Sequence, residues 1–509
     1  MNKVLKGLVA VAATAAMAVA GFAGASTATA VEGETATAVK TSYTISFPTD
    51  AKYQGHTYEV YQIFTGDFDG KVLSNVKYGK NGTKTAGTEV TAEELKQLTD
   101  VNVEGKTDQE KLDVIKTFAK LENPVATLTK TDTSYTAAPG YYLIKDKDGF
   151  VSGNDANTLY ITKVVGDVAI SPKSDVPSFE KKVKDTNDTT GETSDWQDSA
   201  DYDFGDKVPF QLKATLPSNY ADYKTYYLAF HDVEETGLSF NADSVKVAVD
   251  GKAVDAVNYT VKTTGLTDGC TFEVVFTDLK TAVAAAKAGS VITVDYTSTL
   301  TKQAVLGNQG NVNKAKLQFS NNPNSEQGGE STPTGETPWD NVIVFTYEVV
   351  VNKVNENKKA LKGAAFKLEK KLNGGTTTPV KEFTAGEDTS FTFSGLDDGD
   401  YILTETATPA GYNTIKPITF TVTAEHNIEW TTGERVDVLT KLNGNAASGE
   451  ITFTADLPAG SLTTNVVNVK GSNLPSTGGM GTVLLYVAGI AVFVLAGATL
   501  VMALRRRNA

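Results

Sequence analysis

VIVFTYEVVVNK, residues 342–353, decides the fold. Valine, isoleucine, phenylalanine and tyrosine fill it, and neither Gly nor Pro interrupts it, so the stretch reads as extended chain. Alternation places Val349, Val351 and Lys353 on one face. The same kind of run recurs on either side: TSYTISF at 41–47, KVPFQLKATL at 207–216, SVITVDYTSTL at 290–300, SFTFSGL at 390–396 and KPITFTVTA at 416–424. Gly, Asn, Asp and Pro separate these runs. Such spacing predicts a mostly β protein of tandem immunoglobulin-like β-sandwiches. A few short helices are expected in the N-terminal domain, where Thr91-x-x-Glu94 and Thr107-x-x-Glu110 are capping-box patterns ahead of helix-period stretches. Residues 279–288, closed by Gly289, predict a further short helix.

The chain ends carry addresses. Lys3 and Lys6 precede an apolar segment from Leu8 to about Ala20, and Ala28-Thr29-Ala30 closes it. This is the pattern of a secretory signal peptide cleaved after Ala30. At the other end Leu474, Pro475, Ser476, Thr477 and Gly478 spell LPSTG, followed by an apolar run from Val483 to Leu504 and by Arg505, Arg506 and Arg507. The run is long enough to cross a hydrocarbon core of about 30 Å, with the arginines on the cytoplasmic side. The expected organisation is a signal peptide at 1–30, an N-terminal domain at 31–172, a middle sandwich at 173–345, a C-terminal sandwich at 346–472, and a sorting signal with membrane helix and basic tail at 473–509. Two prolines make 171–177 an extended hinge.

Charge and composition narrow the partners. The chain carries 47 Lys and Arg against 61 Asp and Glu, a formal net charge of −14, which argues against nucleic acid or an anionic membrane. Cys270 is the single cysteine, so no disulfide forms within the chain. Its flanks, CTFEVVF, read as a strand, and a buried small hydrophobe is expected there. His56, His231 and His426 are scattered, and no metal-ligand spacing groups them. No nucleophile elbow or phosphate loop is present. No metal, no cofactor and no enzyme activity are expected.

Resistance outside the cell must then come from elsewhere. Phe179, Lys181 and Val183 share one strand face, as do Val351 and Lys353. If these faces point inward, each places an amine in an apolar core, where a lone ammonium is costly and is deprotonated or consumed. If they point outward, both lysines are ordinary solvated residues. Asn321 lies on the face of Leu317 and Phe319, and Asn468 closes the last sandwich. A neutral amine held against a carboxamide can displace ammonia when a carboxylic acid polarises the carbonyl and shuttles the proton. Asp232, in FHD ahead of GLSF at 237–240, is a candidate acid; its plain alternative is a turn residue.

Tyr401 to Tyr412 matches the pilin E-box YxLxETxxPxGY, with Glu405 as its acid. SNNPN at 320–324 and LKGAAFKL at 361–368 extend the likeness over nearly the whole chain. These residues resemble the major shaft subunits of sortase-assembled pili of Gram-positive bacteria, with a collagen-adhesin-like middle domain and a B-type terminal domain. The resemblance implies two intramolecular isopeptide bonds: Lys181–Asn321 assisted by Asp232, with Lys182 and Asn322 as one-residue-slip alternatives, and Lys353–Asn468 assisted by Glu405. The first domain shows no comparably clear trio, and no bond is expected there. VVGDVAISPK at 164–173 matches the family's pilin motif only in part, lacking its Trp and Tyr, and makes Lys173 the inter-subunit acceptor.

The implied partners are pilus-specific and housekeeping sortases, identical subunits joined from Thr477 to Lys173, minor tip or base pilins, peptidoglycan, and host or microbial surface ligands. The subunit itself is a substrate, displayed on the cell wall. The alternative is a wall-anchored adhesin that is never polymerised.

Overall fold

The structure, a computed structural model, describes residues 40–471 apart from 71–72, 101–112, 148–150, 152, 173, 267, 324 and 326. The signal peptide, LPSTG, the apolar run 483–504 and Lys173 all lie outside the described residues. Among the described residues no helix is long and apolar enough to cross a membrane.

Strands dominate, because β-branched and aromatic residues alternate with polar ones and each element can bury only one face. In the first part, Tyr43–Ser46 lies between Ser134–Ala137 and Val168–Ala169, and a five-stranded sheet runs Leu73–Tyr78, Tyr58–Phe68, Gly140–Asp146, Leu159–Val164, with Ala126–Leu128 at its side. The Ala92–Asp100 helix opens on the expected reciprocal cap, the Thr91 amide donating to Glu94 and the Glu94 amide to Thr91 Oγ1. The Thr107–Glu110 pattern falls on residues that are not described. The helix expected over 279–288 stops after Leu279–Ala282, where Val283 leaves helical space. Only Leu279 of that turn is buried, so packing does not sustain a longer helix.

Ten strands carry the sites: β1 (Ser178–Val183), β2 (Lys207–Thr215), β3 (Leu228–Glu234), β4 (Phe272–Phe276), β5 (Val291–Leu300), β6 (Asn311–Ser320), β7 (Asp340–Phe345), β8 (Tyr347–Asn355), β9 (Gly399–Ala407) and β10 (Ser461–Asn468). In the middle part, β1 edges a sheet in the order β5, β2, β1, while the facing sheet runs β7, β6, β3, β4. Their inner faces enclose a core that includes Phe210, Phe230, Phe272 and Tyr296. In the last part, β8 and β10 pair in parallel in one sheet, and β9 is central in the other. The opening stretch 342–353 is thus two strands, β7 and most of β8, bent at Thr346 where the middle sandwich hands over to the terminal one. Cys270 is not in a strand: it sits in the loop before β4, half-buried, because β4 begins only at Phe272.

Candidate functional site

In the middle sandwich β1 points Lys181 into the core, where it is fully buried. Its Nζ donates to Asp232 Oδ2 at 2.5 Å and to the Tyr296 hydroxyl at 2.6 Å. The rings of Phe210 and Tyr296 stand 5.2 Å from the amine. Burial pulls the Lys181 amine below its ordinary range, and burial pushes the Asp232 carboxyl up, so both move toward the neutral pair. Glu234, two residues along β3, is pushed up to about 8 by burial and by the Asp232 charge.

The carboxamide at this site belongs to Asn313, not Asn321. Asn313 is fully buried on the inner face of β6, and its Nδ2 donates to the same Tyr296 hydroxyl at 2.9 Å. Its Oδ1 has no hydrogen-bond partner. Across the β3–β6 pairing Asp232 faces Ala315. Asn321 lies six residues further on, roughly 20 Å along the strand direction, far outside the reach of a lysine side chain. Its backbone carbonyl instead accepts from the Asn157 amide and side chain, at the junction with the first domain. The slip alternatives fail for similar reasons: Lys182 turns outward to Asp198 at 2.6 Å, and Asn322 is further still along the chain.

In the terminal sandwich the expected trio does come together. Lys353, Glu405 and Asn468 are all buried. Lys353 Nζ is 3.4 Å from Glu405 Oε1, and Asn468 Nδ2 donates to both Glu405 oxygens at 3.0 and 3.1 Å. Asn468 Nδ2 also donates to the Asn413 carbonyl, while its Oδ1 is unpartnered, as in Asn313. The Lys353 amine is lowered by burial and stands 5.7 Å from the Phe366 ring. The Ile415 amide and the Thr408 hydroxyl donate to Glu405, fixing its position.

Sequence reasoning also missed a buried ionic joint between the middle and terminal domains. Lys370 is fully buried and meets Asp203 at 2.6 Å, Asp397 at 2.8 Å and Asp188 at 3.1 Å. Here the opposite shift holds: against the burial penalty, the Asp397 and Asp203 carboxylates hold the amine well above its usual range. It stays an ammonium, which separates it chemically from Lys181 and Lys353. In the first domain, among the described residues, no lysine is buried; His56 is, bridging Asp146 and Asp155 at 2.7 Å each. His231 and His426 likewise face carboxylates, Asp268 for the former and Asp185 for the latter. Pro172 and Ser174, the neighbours of Lys173, line a cleft of about 450 Å³ with Lys52, Tyr53, Asp175 and Asp222.

Comparison with known proteins places these domains. Residues 204–323 match the family described as Gram-positive pilin backbone subunit 2, Cna-B-like domain, and residues 347–435 match a prealbumin-like fold domain. The trypsin-resistant surface T6 protein of Streptococcus pyogenes serotype M6 is 26% identical over 401 residues, covering 66% of this chain and 70% of that one. The solved T6 backbone pilin of the same organism, described as a modular three-domain structure, aligns with TM-score 0.51 at 17% identity, covering 86% of this chain and all of the other. The full-length major pilin SpaD of Corynebacterium diphtheriae aligns with TM-score 0.47 at 17% identity, over 87% of this chain and all of the other. A Gram-positive pilin-backbone domain thus holds most of one buried site and a prealbumin-like domain most of the other, in a chain similar to a streptococcal surface T6 protein.

Proposed function

We propose that this subunit forms the shaft of a covalent pilus, joined end to end by a sortase and locked internally by two isopeptide bonds, Lys181–Asn313 and Lys353–Asn468. The observation that carries the internal chemistry is the meeting, in two separate cores, of a lysine amine, a carboxyl group and a carboxamide whose oxygen lacks a donor. The neutral amine attacks the carboxamide carbon. The carboxyl group, Asp232 or Glu405, takes a proton from the attacking amine and relays it to the departing nitrogen. The C–N bond to the side-chain amide breaks, an amide to lysine Nζ forms, and one ammonia leaves. The rigid core supplies the proximity, so no cofactor is required. Tyr296 orients the middle site by bonding Lys181, Asp232 and Asn313 at once.

Between subunits the reading is transpeptidation. A sortase cysteine attacks the Thr477 carbonyl of LPSTG and releases the Gly478 fragment; the Lys173 amine of another subunit then takes the acyl group. At the base a wall amine replaces Lys173 and anchors the fibre to peptidoglycan. The chain is thus a substrate of this step, not its catalyst.

Intact-mass analysis of the mature protein tests the internal bonds: a deficit of two ammonias is expected, and full sequence mass refutes them. A high-mass ladder on denaturing gels, lost in Lys173→Ala, tests polymerisation. A single band from wild-type cells would establish the wall-anchored monomer instead.

A further inference from the structure

Strand β3 carries chemistry on both faces. Asp232 points into the core, and its neighbour His231 points the other way, onto the outer face of the sheet, where His231 pairs across with Glu273 of β4 and Lys316 of β6. The loop before β4 folds over this face and brings Asp268 and Cys270 to the same imidazole. His231 Nδ1 is 2.8 Å from Asp268 Oδ2, 3.5 Å from Glu273 Oε1 and 3.6 Å from Cys270 Sγ. The four ligand atoms lie within 4.8 Å of one another.

Three lone-pair-bearing atoms therefore converge on one ring nitrogen that can offer at most a single hydrogen. His231 is only 6% exposed, and its other ring nitrogen is buried without a partner. The Cys270 amide donates to the other Asp268 oxygen at 3.3 Å, so imidazole, thiol and two carboxylates are held around one point, a donor set that suits a divalent cation. Edges of a tetrahedral zinc site with nitrogen, oxygen and sulfur ligands are about 3.3–3.7 Å; the Glu273 and Cys270 separations from His231 already match, and Asp268 fits once it moves about 0.5 Å away from the imidazole. A thiolate with imidazole and two carboxylates selects zinc over calcium or magnesium. We propose that His231, Asp268, Cys270 and Glu273 form a binding site for one divalent transition-metal ion of the zinc class on the outer face of the middle domain.

Lys316 does not block it. Its Nζ is 3.7 Å from Asp268 but 2.8 Å from Glu336, with the Trp339 ring 5.0 Å away, so it keeps partners when Asp268 turns to a metal. The joint of Asp188, Asp203, Asp206 and Asp397 differs, because the Lys370 ammonium already occupies its centre.

The test titrates the full-length chain, purified under reducing conditions, with cobalt(II) and then with zinc. One equivalent of cobalt should give visible d–d absorption and a sulfur-to-cobalt charge-transfer band, both displaced by zinc. Cys270→Ser should abolish the charge-transfer band and weaken binding by at least about tenfold, the low end of what loss of even a supporting group costs a metal site. Zinc should also protect Cys270 from alkylation in the wild type and not in His231→Gln. Cobalt binding without a sulfur band, or Cys270→Ser and His231→Gln binding as the wild type does, overturns the proposal and moves any metal to the aspartates elsewhere. Because Cys270 is a half-buried loop residue, its serine variant is expected to fold, which keeps the test decisive.

Discussion

The middle and terminal domains bury the same three groups but wire them differently. In the terminal sandwich the amine and the carboxamide sit on adjacent parallel strands of one sheet, β8 and β10, and the acid reaches across from the facing sheet. In the middle sandwich the amine comes from β1 in one sheet, while acid and carboxamide come together from β3 and β6 in the other. A bond in the terminal domain therefore ties its first strand to its last. A bond in the middle domain staples two sheets and leaves the chain beyond Asn313, including β7, outside the covalent loop. Position in the fold, more than the chemistry, decides how much of each domain a covalent bond protects from a pull along the fibre.

Force spectroscopy gives the largest test of that contrast. Pulled from its ends, the middle domain should release the 32 residues between Asn313 and Phe345, at most roughly 110 Å of contour, whereas the terminal domain should give no extension from the loop between Lys353 and Asn468. Full unfolding of either wild-type domain would break the comparison. Asn313→Ala should convert the short middle-domain step into complete unfolding; Asn321→Ala should not, and should keep the two-ammonia mass deficit.

Thermal stability should fall next. Glu405→Ala should restore one ammonia of mass and remove a cross-link that closes a loop of more than a hundred residues, worth about 5 kcal/mol by analogy with disulfides. Calorimetry should show the terminal transition lowered by on the order of 10 °C or more, with the middle transition unchanged. Tyr296→Phe sharpens the difference between the sites. It removes the hydroxyl that bonds both Lys181 and Asn313, so mass spectrometry should show the middle bond forming slowly or incompletely while the terminal bond is complete.

The smallest effects concern pH and set the ion-paired regions against the cross-linked ones. Opposing the burial penalty, Asp146 and Asp155 raise His56 to about 9, above its ordinary value near 6.5. A folded value above the unfolded one means this stabilisation is complete below about pH 6.5 and is lost as pH rises through about 9. The first domain should melt lower at pH 9.5 than at pH 6, and His56→Gln should flatten that slope. Burial, followed by the Asp203 charge, pushes Asp206 up to about 6. By the same sign, its contribution to the joint with the terminal domain is complete below about pH 4 and lost through about pH 6. Asp206→Asn should therefore reduce the loss of joint stability between pH 4 and 7, followed by hydrogen exchange at 185–206 and 397–400.

Much of this was legible in the residues. Alternation put Lys181 with Phe179 and Val183, and Lys353 with Val351, on one face each, but only the packed sheets showed that both faces point inward. The length of the E-box made Glu405 visible, and Asn468 follows from its place at the end of the last strand. The shortened turn at Leu279 and the loop position of Cys270 were misread, since packing decides where short elements stop. Lys370 gave no signal, because its acidic partners Asp188 and Asp203 lie more than 160 positions away in the chain.

The sequence by itself determined a mostly β chain with Lys181 and Lys353 each aligned with apolar residues on one strand face, an E-box pattern and an LPSTG stretch, because face alternation and short motifs are local properties. Only the tertiary structure decided that Asn313 rather than Asn321 meets Lys181. Both asparagines share one face of the same run, so period two cannot separate them. Each two-residue step along a strand keeps the face but moves the side chain by about 7 Å. That is enough to carry a carboxamide out of a lysine's reach, and only the register between distant strands, set by packing of the whole core, fixes which step is taken.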